Sequence, residues 1–341
     1  MKLLQIILLL ILDFHLIAQS TDTAYLDQAY MATKTKTFKL SENGLGGPGA
    51  RALEQAISQS QFTVLGEYHG SAQVSNFTKA IVPFLAAADY QHFACEVGPH
   101  SARKLTRLSQ QLDQMLSKVT DFYQKYDFPE IDDIPMPFFE YKEDVAFLGT
   151  LKKHKMDIWG LDQEYFSAVF FLYDELLDLA KGKSNFQEIE THKKAATLVT
   201  KQWMIKDDAS EYGIQVFKKI LEEPAVQLFF NAFDEADVLA QQIIKDLKIS
   251  WDIYNRYLGG ASHQDRLDYI RANFLKSYQK AKSQKTHPKV FVKVGSLHAF
   301  KNPIGGPDVG SLVQELAQQN ATQSTHLHMI TRYRRVDGQL I

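Results

Sequence analysis

Four short apolar runs constrain what this chain can fold into, because each is closed by glycine together with an acid or an imidazole. Phe62-Thr63-Val64-Leu65-Gly66 leads into Glu67-Tyr68-His69-Gly70. His92-Phe93-Ala94-Cys95-Glu96 leads into Val97-Gly98-Pro99, and Met156-Asp157-Ile158-Trp159-Gly160 into Leu161-Asp162. Lys289-Val290-Phe291-Val292-Lys293-Val294-Gly295 leads into Ser296-Leu297-His298. Runs of this length, rich in β-branched and aromatic residues and stopped by glycine, read as buried strands. A last β-rich run covers His326 to Tyr333.

Helical spacing fills the intervals: residues 50–60, 75–88, 142–154 and 308–319, and a single long amphipathic helix carrying Leu105, Leu108, Leu112, Met115, Val119 and Phe122. Residues 127–139 hold three of the ten prolines and read as a loop. Strands alternating with helices predict an α/β fold, with a mostly parallel central sheet and helices on both faces. From about 165 to 285 the pattern is helical throughout, too long for one crossover, and predicts a large helical insertion. The expected organisation is a leader at 1–18, an N-terminal arm and loop at 19–50, and one α/β domain at 51–341.

The leader rests on Lys2, the apolar run Leu3 to Leu12, Asp13, and a small residue, Ala18, before Gln19. It predicts a periplasmic or secreted protein with no membrane span after its removal. No cysteine follows the run, so a lipid anchor is not expected; the single Cys95 forbids an internal disulfide, which suits a bacterial envelope protein. A net charge of −2 with both signs intermixed argues against nucleic acid as a partner.

In open α/β sheets ligands bind outside the carboxyl ends of the strands. If the four runs are parallel neighbours, Glu67, His69, Glu96 and His298 share one cleft and form the candidate catalytic set. A carboxylate beside an imidazole raises its pKa and fixes its tautomer, making a base for water, while a second imidazole or acid can protonate a leaving group. His69, Glu96 and His298 are also an adequate donor set for a divalent metal. The residues alone do not choose between these chemistries and require no cofactor. Asp162, Arg266 and Lys293 are candidates for substrate-binding or supporting roles.

Competing motifs are weaker. Gly44-Leu45-Gly46-Gly47-Pro48-Gly49 fits G-x-G-x-x-G, but residues 37–43 are too polar for the buried parallel strand that a dinucleotide site needs, so a flexible loop is expected. G-x-S-x-G, H-E-x-x-H and C-x-x-C are absent. His326 and His328 lie on one side of a strand, as a metal pair or as part of an edge-strand surface; the second is expected. The aromatic residues of the insertion, among them Phe170, Phe171, Trp203, Phe229 and Trp251, are expected to be ordinary core rather than the roof of an apolar pocket.

Gly66-Glu67-Tyr68-His69-Gly70 resembles the opening motif of the erythromycin esterase-like, haem-uptake ChaN-like and TraB/Tiki-like proteins. Phe93 to Glu96 resembles their second strand, Lys293 to His298 their late strand and histidine, and Arg266 to Phe274, with Asn273, a preceding helix. The resemblance spans about residues 60–300. It implies an exported hydrolase acting on a small-molecule or peptide substrate. In esterase-like members a histidine assisted by glutamate activates water against an ester or lactone; in Tiki-like members the chemistry is metal-dependent peptide cleavage. In ChaN-like members the role is haem binding, which leaves a non-catalytic haem or apolar-ligand binder as the alternative. Erythromycin esterases place two residues between the Glu and the His, whereas Tyr68 alone separates Glu67 from His69, a spacing closer to the other two branches.

Overall fold

The computed structural model describes residues 28–42, 44–210, 215–257, 263–302, 306–330, 335–336 and 339–340. The leader at 1–18 and the end of the last β-rich run, residues 331–333, lie outside them. Helix α1 (Gln28–Lys34) and a hairpin of β1 (Lys39–Ser41) and β2 (Gly44–Gly46) precede α2 (Pro48–Gln59). Then follow β3 (Phe62–Glu67), α3 (Ala72–Ala87), β4 (Tyr90–Cys95), α4 (Pro99–Leu108), α5 (Met115–Lys125), α6 (Lys142–Lys153) and β5 (Asp157–Gly160). The helical stretch comprises α7 (Ala168–Leu179), α8 (Phe186–Asp208), α9 (Val216–Glu222), α10 (Pro224–Asn231), α11 (Val238–Tyr257) and α12 (His263–Lys282). The chain closes with β6 (Lys289–Gly295), a 3-10 turn (Ser296–Ala299), α13 (Val309–Gln319), β7 (Ser324–His328) and a short hairpin of β8 (Arg335–Val336) and β9 (Gln339–Leu340).

The expected α/β architecture is present: five strands form one wholly parallel sheet in the order β5-β4-β6-β3-β7. Side chains of a strand alternate between faces. Leu65, Phe93 and Phe291 therefore point into one apolar cluster with α3, α6 and the helical stretch, while Phe62, Val64, Ala94, Val290, Val292 and Val294 meet α12 and α13 on the other face. Strands buried on both sides explain the near-continuous apolar runs. Each fully buried phenylalanine there contributes on the order of 1.5–3 kcal/mol. Among the described residues no helix is long and apolar enough to cross a membrane.

Two expectations need correction. The long helix from Leu105 to Phe122 is broken: α4 ends at Leu108, α5 begins at Met115, and the linking Leu112 is exposed. The apolar spacing persists across the break, but Ser109 turns its hydroxyl onto the Thr106 carbonyl, the local competition by which serine ends helices. The glycine-rich stretch is also not simply a loop. Gly44–Gly46 is a strand of an antiparallel hairpin, and Pro48 opens α2. The strand before it is short and exposed, which removes the dinucleotide fold.

The ends of β4 and β5 touch backbone to backbone. A Cβ on Gly160 would stand 2.2 Å from the Gly98 carbonyl oxygen, and one on Gly98 would overlap the Glu164 carboxyl. Glu164 needs that space because, fully buried, it accepts the His100 N–H at 2.6 Å and the Ser101 hydroxyl at 2.7 Å, capping the positive end of α4. Gly160→Ala is expected to cost about 1–3 kcal/mol or more as an overpacking change, read as a lower midpoint in urea unfolding.

Candidate active site

Register sets the site. Glu67 pairs with Gly295, and Cys95 lies opposite both Lys293 and Gly160, so the carboxyl ends of β3, β4, β5 and β6 finish at one level. All four candidate catalytic residues and the three supporting ones meet there.

Glu67 is the last residue of β3 and is buried. One of its carboxylate oxygens takes the Lys293 ammonium at 2.6 Å and lies 3.2 Å from His69 Nδ1. Burial by itself would raise the Glu67 carboxyl, but Lys293 and His69 outweigh it and hold it below its ordinary value. An ionised carboxylate only accepts, so Nδ1 carries the proton and Nε2 is left as the basic nitrogen. That nitrogen faces Glu96 Oε2 across 3.8 Å. The imidazole is 40% exposed, so it can meet water, and its ring stacks on Phe138 with centroids 4.2 Å apart. A Cβ on Gly295 would lie 2.9 Å from His69 Nε2 and 3.3 Å from Glu96 Oε2; only glycine leaves their gap open.

Glu96, just past β4, is the hub. Its Oε2 accepts the Gly295 N–H at 2.6 Å, and its Oε1 accepts from Arg266 Nη2 at 2.8 Å and lies 3.4 Å from His298 Nε2. Arg266, from α12, also binds Asp162 through Nε at 3.0 Å and through Nη2. Burial alone would weaken that guanidinium's hold on its proton, but the two carboxylates reverse the effect and raise its pKa further. Asn273, about two turns further along α12, donates to the Leu161 carbonyl at 2.9 Å and fixes the loop that carries Asp162.

His298 sits on the 3-10 turn after β6 with Nδ1 2.7 Å from Asp308 Oδ2. Burial disfavours its charged form, but Asp308 and Glu96 prevail and raise its pKa above the ordinary histidine value. Asp308 also caps α13 in a capping box with Ser311. Sequence reasoning missed Asp308 and Phe138. Asp308, with Ser three residues on and an apolar helix ahead, carries an N-cap signature that locates the helix start; nothing in it names His298 as a partner. Phe138 has φ 72°, unfavourable for a bulky residue, and only its place directly after Pro135-Met136-Pro137 hinted at an unusual loop.

The metal reading does not fit. Among the described residues no group of three or more His, Cys, Asp or Glu side chains is arranged to hold an ion. Glu96 Oε1 already accepts from the Arg266 guanidinium and Oε2 from a backbone N–H, so the one carboxylate of the set His69, Glu96 and His298 is engaged at both oxygens by protein donors that an ion would have to compete with. His326 and His328 lie on β7, an edge strand, and brace the turn under His298: His326 bonds the Ala299 carbonyl at 2.7 Å, and His328 stacks on Phe300. Burial pushes His326 down to about 4, leaving it neutral. In the insertion, Phe170, Phe171, Phe229 and Trp251 are buried against other rings, as Trp251 is against Phe217 at 5.4 Å, and form core.

A cavity of about 250 Å³ adjoins the site and is bordered by Glu96, Phe138, Asp162, Tyr165, Tyr254 and Arg266. A larger cleft of about 930 Å³ runs beside His92, Trp159 and Lys280 and touches none of the candidate residues, so size alone does not mark the chemistry here.

Asp308→Asn keeps a side chain that caps helices well but removes the nearer of the two anions beside His298. A histidine whose folded pKa is raised adds stability that is complete below its unfolded value and disappears as pH rises through the folded one. The variant is therefore expected to titrate His298 at lower pH in an NMR titration and to lose part of the wild-type protein's extra stability at mildly acidic pH.

No family model matches this sequence, and no curated protein is significantly similar to it. Among solved structures, a mutant of the erythromycin esterase EreC in its open conformation superposes with a TM-score of 0.50 at 13% identity, covering 84% of this chain and 75% of that one. A Bacillus cereus protein gives 0.46 at 14% identity, with 84% and 71% covered, and the type III effector HopBA1 gives 0.33 at 12%, with 80% and 81% covered. The first of these likenesses, spanning most of both chains, shows that the protein has an erythromycin-esterase-like fold.

Proposed function

We propose that this protein is an exported hydrolase that cleaves a carboxylic ester or lactone with water activated by the Glu67–His69 pair. The observation that carries the reading is the histidine itself: His69 is oriented by an ionised Glu67 at 3.2 Å, its Nε2 is turned toward the gap before Glu96, and its ring is exposed enough to meet water. The fold shared with an erythromycin esterase favours an ester over a peptide bond.

In the proposed reaction a water molecule gives its proton to His69 Nε2 as its oxygen bonds to the substrate carbonyl carbon. Glu67 and Glu96 stabilise the imidazolium that forms. His298, whose charged form Asp308 and Glu96 favour, stabilises the oxyanion of the tetrahedral intermediate. Collapse breaks the bond to the leaving oxygen, which takes the proton back from His69, giving an acid and an alcohol. Lys293 keeps Glu67 ionised, and Asp162 holds Arg266 in place.

His69→Ala is expected to lower kcat/KM on any ester that the protein turns over by roughly 10²–10⁴-fold, the usual contribution of a general base, with an unchanged unfolding curve; full activity in that variant would remove the mechanism. The exported form is expected to begin at Gln19, which mass spectrometry of the secreted protein would read directly.

A further inference from the structure

The cavity beside Glu96 has its own selectivity. We infer that it is the subsite for the non-reacting part of the substrate, and that it admits a compact, uncharged group of about one ring while excluding macrolide-sized and carboxylate-bearing esters. The inference rests on the ester-hydrolase reading and narrows its substrate class.

Size supplies the first argument. Sites for drug-sized ligands run to roughly 300–1,000 Å³, and an engineered cavity of about 150 Å³ holds benzene. At about 250 Å³ this cavity lies between them, with room for a ring and a few further atoms. Its walls do not yield easily. Tyr254 and Ile253 lie on α11, where Ile253 is buried, and Tyr165 and Phe138 stand on the facing loops. Tyr254 packs edge-on to Phe166 at 5.6 Å and against Phe217 at 5.7 Å, which ties that wall to the core of the helical stretch.

Charge supplies the second. The charged groups of the floor are Glu96, Asp162 and Arg266, beside the neutral Gln163. The single guanidinium is shared by both carboxylates, bonding Asp162 through Nε and Nη2 and Glu96 through Nη2. Among the lining groups two carboxylates share one cation whose donors are already engaged, and His298, which approaches Glu96 at 3.4 Å, is not part of the lining. A substrate carboxylate would lose its hydration and meet repulsion without a free cation, whereas a neutral group meets aromatic walls suited to ring packing.

Position supplies the third. Glu96 and Phe138 border the cavity, and the same two residues flank His69, one across 3.8 Å and the other in ring stacking. In the inferred pose a group seated in the cavity carries its carbonyl past Glu96 and Phe138 toward His69.

The test compares single-ring neutral esters, two-ring neutral esters, a macrolide lactone and single-ring esters carrying a carboxylate, on wild-type protein and Ile253→Ala. Misfit by even one methylene in an apolar pocket changes kcat/KM by about 10–200-fold. The expected result is at least a tenfold preference for the single-ring neutral ester over each other class, with the two-ring penalty relieved in Ile253→Ala. Equal turnover of the two-ring or macrolide substrate by wild type, or of the carboxylate-bearing one, would overturn the inference and leave the hydrolase reading intact. Should no ester be cleaved, calorimetric titration of wild type and His69→Ala with acetophenone, a neutral single-ring ketone, and with benzoate separates the two claims. Acetophenone bound in preference to benzoate sustains the cavity assignment while removing the hydrolase; no binding removes both. If Ile253→Ala fails to fold, Tyr165→Ala, which opens the cavity from a loop, takes its place with the same expected relief.

Discussion

The carboxylate of Glu96 ties the candidate site together. It accepts a backbone N–H from the end of β6, a guanidinium from α12, and approaches the imidazoles that follow β3 and β6. A buried carboxylate is tolerated only when such partners replace its lost hydration. Here the replacements come from segments scattered over most of the chain, so one charged group holds the sheet, the helical stretch and the late turn in mutual position.

The rest of the site follows the same logic of compensation. Glu67 has Lys293, Asp162 has Arg266, and His298 has Asp308. Ion pairs of this kind add little net stability, because desolvation cancels much of the attraction, but removing one partner leaves an uncompensated charge. Such a lattice favours one arrangement strongly over near neighbours. A base that must hold its nitrogen at a fixed point needs that property more than it needs stability.

Much of the sheet was legible in advance because burial on both faces forces a run of apolar residues, and the runs ending at Gly66, Glu96, Gly160 and Gly295 could not be mistaken for helix. The convergence of Glu67, His69, Glu96 and His298 was legible only conditionally, since strand order is not written in local composition. The break between α4 and α5 was hidden because apolar spacing continued through Leu112 even though the backbone did not. Asp308 escaped notice for a different reason: its capping role is local and readable, but its contact with His298 spans the turn after β6 and depends on where α13 sits. Donor type made His69, Glu96 and His298 look suited to a metal; the guanidinium that occupies Glu96 comes from a helix whose docking no spacing rule reveals.

The strand order β5-β4-β6-β3-β7 carries a consequence for how the molecule is made. The central strand, β6, is synthesised more than two hundred residues after β3 and nearly as long after β4, yet it joins them. Until it arrives, both earlier strands have open, apolar edges with nothing to pair against. Assembly of such distant pairs is slow, and exposed edges invite intermolecular association. Nascent or truncated forms ending before residue 289 would thus lack the keystone of the sheet, and the crevice holding the charged residues can form only when nearly the whole polypeptide is in hand.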